Sequence, residues 1–210
     1  MQTKLLQNRE IRNYALRLAV KSLSQMLTQL STIWVSISIL SGMHMEYINN
    51  DYFFPALVFL LSGLIVYLYS TFRTPKYTMF VNKICRQFNF KKPLVIFAIR
   101  YQTTIFQLFF WHLILFAVSI ELGSFVLLFS IAYKLVFQNS SEIFKRILSS
   151  VPMCLFIYIF FFVILGLFIL SNDLNIILII MILLVIRQAG ARHALILRMH
   201  MKAQYKSLYN

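Results

Sequence analysis

Long uncharged runs alternate with short basic segments along this chain, and the alternation predicts helices that cross a membrane in pairs. Residues 22–43 carry no charge. A run of that length spans the ~30 Å hydrocarbon layer of a bilayer as one helix. Residues 52–72 (YFFPALVFLLSGLIVYLYSTF) form the clearest second run, 101–120 (YQTTIFQLFFWHLILFAVSI) a third, and 122–137 a shorter fourth. The fourth contains Lys134, whose stem can carry its ammonium to the nearer interface. Residues 147–186 supply a last pair, broken at Ser171-Asn172-Asp173, a cluster suited to a tight turn.

Charge orients these runs. All 20 Lys and Arg residues lie in four stretches, 4–21, 73–100, 134–146 and 187–206. Four of the six acids lie elsewhere: Glu46 and Asp51 in the first intervening gap, Glu121 in the second, Asp173 in the third. Short loops rich in Lys and Arg stay on the cytoplasmic side. The expectation is an all-α polytopic membrane protein of six transmembrane helices as three hairpins, with both termini inside. As one transmembrane domain over 1–210 it has a basic N-terminal helix at 1–21, six spans within 22–186 and a basic C-terminal helix at 187–210.

A five-span alternative fuses 101–137 into one long helix. It places the cations of 134–146 and of 187–206 outside, whereas six spans leave every cation inside. Six is preferred. No A-x-A-like cleavage site follows Arg9, Arg12, Arg17 and Lys21, so the first run is expected to remain in the mature chain. Cys85 and Cys154 fall on the reducing side, and no disulfide is expected.

Two segments outside the spans are amphipathic. In 76–89 (KYTMFVNKICRQFN), Phe80, Ile84 and Phe88 share an arc with Val81, while Lys83 and Arg86 lie around the rest. Thr74-Pro75 reads as its N-cap and first-turn proline, and Lys91-Lys92-Pro93 as its stop. Such a helix rests on anionic headgroups at the cytoplasmic face, or is the element that a soluble partner grips. In 187–206, Arg198, Lys202 and Lys206 recur every four residues, with His193 and His200 on a flank expected to face solvent or headgroups. Two His at that spacing make a poor metal pair.

Polar residues inside the spans are the candidate chemistry. Gln25, Thr28, Gln29, Thr32 and Ser36 continue the Arg17–Lys21 face into the membrane, and lipid tails cannot satisfy them. They are expected to bond other helices, or to line a polar path or a partner-facing groove. Ser38 and Gly42 form a small-xxx-small pair on another face. His112, beside Trp111, is the ionisable group nearest a membrane centre, with Gln107 and Thr104 as possible polar company.

Composition then narrows the classes. With 60% hydrophobic residues, the chain has more apolar surface than a soluble domain of 210 residues conceals. Its net charge of +14 sits at membrane boundaries, which leaves no nucleic-acid footprint to explain. Nothing matches a zincin helix, a P-loop, a nucleophile elbow or a carboxylate pair, so no enzyme, cofactor or metal is expected. Two classes remain. The layout resembles, in topology only, six-span permeases of the ABC-2 type, which implies a non-catalytic membrane subunit of a transport or export assembly energised by a separate protein. The composition is similar to that of small basic immunity proteins against pore-forming bacteriocins, which implies a binding or protective role, or a scaffold in a larger membrane complex. Either reading places the chain in a bacterial cytoplasmic membrane or an organelle equivalent, among anionic lipid and other membrane or cytoplasmic subunits.

Overall fold

A computed structural model describes residues 5–44, 50–118, 120–169 and 176–208. The predicted turn at Ser171-Asn172-Asp173 lies outside them, as do the side chains of Ser38 and Gly42. Among the described residues the chain is all-α, with eight helices and no strand. They are α1 (Arg9–His44), α2 (Asn50–Arg73), α3 (Tyr77–Phe88), α4 (Lys92–Val118), α5 (Ile120–Asn139), α6 (Glu142–Leu148), α7 (Val151–Ile169) and α8 (Ile176–Leu208). They fall into two compact units, residues 1–106 and 107–210.

The first unit is an antiparallel hairpin with a cap. Asn8 opens α1 by accepting the Glu10 and Ile11 amides on Oδ1, at 2.9 and 3.2 Å. Helix α1 then runs unbroken through the expected boundary at residue 21. As the chain ascends α1 its partners descend α2: Tyr14 bonds the Pro75 carbonyl, Lys21 lies over the Tyr67 ring at 5.7 Å, and Thr28 meets Gly63. A Cβ at Gly63 would stand 2.9 Å from Thr28 Oγ1, so glycine is what lets the two backbones approach.

Thr74 does not cap α3. Its hydroxyl donates back to Ser70 O at 2.5 Å and so closes α2, while Lys76 occupies the cap position without a side-chain bond. Asn89, left-handed at φ 53°, ends α3. Lys92-Pro93, expected as a stop, instead begins α4, because a proline in the first turn lacks only an amide that has no partner there. The third apolar helix therefore starts at Lys92 and not at residue 101. Its stretch Lys92–Ala117 is long and apolar enough to cross a membrane by itself. Two bent pairs, Leu57–Arg73 with Tyr77–Phe88 (44°) and Glu142–Leu148 with Val151–Phe160 (68°), meet the same criterion only jointly.

In the second unit the chain folds back between α4 and α5. His112 and Ser130 would stand about 27 Å apart on one straight helix, yet His112 Nε2 lies 3.2 Å from Ser130 Oγ. Gly123 sits so close to the Phe116 backbone that a Cβ would meet its Cα at 2.7 Å. Residues 101–137 thus belong to two helices, as the charge pattern favoured. Tyr133 then ties α5 to α6 by donating to Leu148 O at 2.7 Å. Helices α7 and α8 run antiparallel, with Cys154 Sγ donating to Gly190 O (3.3 Å) and Arg198 Nε donating to Ser149 O (2.7 Å). Helix α8 is continuous, so the expected C-terminal helix is the extension of the last apolar run.

Polarity is arranged outward-apolar. Phe59, Ile65, Tyr69 and Phe72 on α2, Leu128 and Ile131 on α5, and Phe156 and Phe160 on α7 are exposed. Gln102, Thr104, Gln107, His112, Ser130 and His193 are buried.

Candidate functional site

Four helices of the second unit each contribute one polar side chain to its core. They are His112 from α4, Ser130 from α5, Tyr158 from α7 and His193 from α8, all less than 10% exposed. Their contacts form a chain: His112 Nε2 to Ser130 Oγ at 3.2 Å, Ser130 Oγ to Tyr158 OH at 2.7 Å, and Tyr158 OH to His193 Nδ1 at 2.5 Å. At one end His112 Nδ1 stands 2.8 Å from Leu108 O, and midway Ser130 Oγ stands 2.8 Å from Val126 O. Carbonyls only accept, so the His112 ring carries its proton on Nδ1.

Aromatic rings fix this geometry. Phe129 meets Tyr158 edge-on at 5.0 Å, and Tyr133 meets His193 edge-on at 5.4 Å. Gly190 permits the approach, since a Cβ there would stand 3.2 Å from Tyr158 Cγ. A buried network linking four helices in this way rigidifies a core and defines one packing.

Of these four, sequence reasoning singled out only His112 as a candidate. His193 does not lie on a solvated flank: α8 turns it inward and leaves it 4% exposed. His200 is half-buried, and burial followed by the nearby Lys134 charge depresses its pKa. A signal for Tyr158 was present, because it is the lone hydroxyl in the 19 residues of α7. Thr104, offered as company for His112, instead bonds its own helix at Arg100 O (2.8 Å).

The polar stripe of α1 divides. Its hydroxyls bond back along their own helix, Thr28 to Ser24 O, Thr32 to Thr28 O and Ser36 to Thr32 O, each at 2.8 Å. Arg17 reaches the Arg73 carbonyl at 3.4 Å. Gln25 and Gln29 face outward and are exposed.

The candidate docking helix divides as well. Phe80 and Ile84 of α3 are buried with Val81 against Leu5, Ile11 and Tyr14 and against Val95, Ala98 and Ile99 at the start of α4. Tyr14 stacks on Phe80 at 3.9 Å. Lys83 pairs with Glu10 at 3.4 Å, both side chains well exposed, which contributes little by itself. Arg86 and Phe88 remain exposed, Phe88 stacking on Phe90 at 6.0 Å. A hollow of about 400 Å³, lined by Glu10, Tyr14, Arg17, Met79 and Lys83 among others, opens between α1 and α3.

Comparison with protein-family models, with curated proteins and with solved structures gives no match to this chain.

Proposed function

We propose that this chain is a non-catalytic, six-span integral membrane subunit of a transport or export assembly, energised by a separate soluble protein that docks on α3. The observation that carries the reading is how α3 is mounted. Phe80, Val81 and Ile84 of its apolar arc are buried in the chain's own core, so α3 is fastened to the start of α4, the most clearly membrane-length helix, while Lys83 and Gln87 reach Glu10 at the exposed rim and Arg86 and Phe88 are left exposed. A helix merely floating on lipid would turn that arc to the acyl chains. Held as it is, it offers a rigid basic face to an acidic partner and transmits displacement into α4. The outward Phe, Leu and Ile side chains of α2, α5 and α7 support the bilayer as their solvent. The spans follow the six apolar runs, with N- and C-termini cytoplasmic.

Because Phe80 is core, its replacement reports folding, and the decisive variants are Lys83→Glu with Arg86→Glu, and Phe88→Asp. The full chain is to be purified in mild detergent from membranes, with bound proteins identified and ATP hydrolysis measured. Loss of an ATP-hydrolysing partner at unchanged membrane level of the variant is the expected result. Retention of every partner by both variants would sink the reading.

One observation favours the binding or protective class. Gln25 and Gln29 face outward from α1 within the span, where lipid cannot bond them, so a second membrane helix fits that face. Capture of a membrane peptide through these glutamines, without an ATPase, is the result that would favour this class.

A further inference from the structure

The five close contacts of the His112 cluster can be counted in protons. Each contact needs one: His112 to Leu108 O, His112 to Ser130, Ser130 to Val126 O, Ser130 to Tyr158, and Tyr158 to His193. With both rings neutral the atoms in contact carry four: His112 Nδ1–H, the Ser130 and Tyr158 hydroxyls, and His193 Nδ1–H. The neutral cluster is one proton short.

We propose that the His112–Ser130–Tyr158–His193 cluster is a proton-binding site, in which the core of residues 107–210 takes up one proton on His112. In the neutral state the bonds run in one direction: His193 Nδ1–H to Tyr158, Tyr158 O–H to Ser130, Ser130 O–H to His112 Nε2, and His112 Nδ1–H to Leu108 O. On uptake, a proton from hydronium forms the Nε2–H bond of His112 and releases water. Ser130 rotates its hydroxyl from Nε2 to Val126 O, already 2.8 Å away, and accepts the new N–H. The cluster gains one charge, no other bond changes, and all five contacts are filled. Hydrogen bonding to the charged form is what favours it here.

The site binds a proton and does not conduct one, since the chain of bonds ends on the Leu108 carbonyl, which has no proton to pass on. The charged and titratable groups around it are Tyr133 and Lys134 from α5 and Cys154 from α7. Burial of His112 and the Lys134 charge beside His193 both oppose uptake, so completed hydrogen bonding and not ion pairing has to carry the binding.

The test is nitrogen NMR of the full chain, labelled at histidine, in lipid nanodiscs from about pH 9 to about pH 5, which brackets the ordinary histidine range. His112→Asn and His193→Asn assign the signals. At high pH, His112 and His193 are expected to be protonated on Nδ1 alone, against the commoner Nε2 tautomer of free histidine. On acidification His112 gains a second proton while His193 keeps one. Ser130→Ala should require about ten-fold more protons for the same uptake, and Ser130→Thr should restore it. An Nε2–H tautomer of His112 at high pH, or a His112 still singly protonated at about pH 5, overturns the proposal. The wild-type spectrum decides even where a variant fails to fold.

Discussion

Tyr14 shows how much of the first unit hangs on one residue. Its ring stacks on Phe80 and its hydroxyl donates to Pro75 O at 3.0 Å, so it ties the start of α1 both to α3 and to the α2–α3 bend. Burial, and then the Tyr77 phenol beside it, raise its pKa above the usual value near 10. A raised folded pKa means that the neutral phenol is the form the fold prefers. That stability is fully present below about pH 10 and is lost as pH rises through the folded value. Tyr14→Phe should therefore show a shallower alkaline loss of thermal stability than wild type, and an unchanged alkaline limb would refute this role. Ile84, fully buried between α1, α3 and α4, should cost about 2–5 kcal/mol as Ile84→Ala by denaturant unfolding in detergent. Arg86→Ala, on the opposite side of the same helix, should cost within about 0.5 kcal/mol.

Helices in this chain are joined where a glycine removes a side chain. At Gly63 a β-carbon would press on Thr28 Oγ1 at 2.9 Å and dislodge its bond to Ser24 O. Gly63→Leu cannot be absorbed by one hydroxyl rotation and should separate α1 from α2. The expected cost is about 1–3 kcal/mol of overpacking, read as a lowered melting temperature, and stability equal to wild type would mean that the hairpin is looser than described. Gln25→Leu with Gln29→Leu changes the same helix on its outer side. Insertion should survive, because the helix becomes more apolar, while a bond to a second membrane helix worth about 0.6–2 kcal/mol would be lost. Unchanged assembly and activity would make these glutamines incidental.

At the scale of the whole molecule, the proposed topology is tested by thiol access. Cys154 is fully buried, so a Cys85→Ser background has little reactivity of its own. Ile120→Cys, exposed at the start of α5, is expected to react with an impermeant reagent from outside intact cells. Position 120 is preferable to Gly123, where any side chain strikes Phe116. Ser141→Cys, between α5 and α6, should react only after the cells are opened. External labelling at position 141 would reverse the charge-based orientation.

The all-α class and the division of 101–137 into two helices were legible from apolar run length and from where the cations fall, because both follow from solvation along a single coordinate. The amphipathic arc of α3 was legible too, since a period of 3.6 residues is a local property. What that arc faces was not. An apolar stripe buries itself equally well in lipid, in a partner or in its own chain, and the choice here depends on Leu5, Ile11 and Tyr14, more than 60 residues upstream of it. Thr74 and Pro93 changed roles for a related reason: a local cap or stop signal competes with its neighbours, and Ser70 O offered Thr74 a bond that the sequence pattern alone does not rank. Most of all, the sequence displays His112, Ser130, Tyr158 and His193 as four scattered polar residues on four apolar helices. Only packing brings them within 2.5–3.2 Å of one another, because hydrogen bonding depends on distances between helices that no periodicity along the chain encodes.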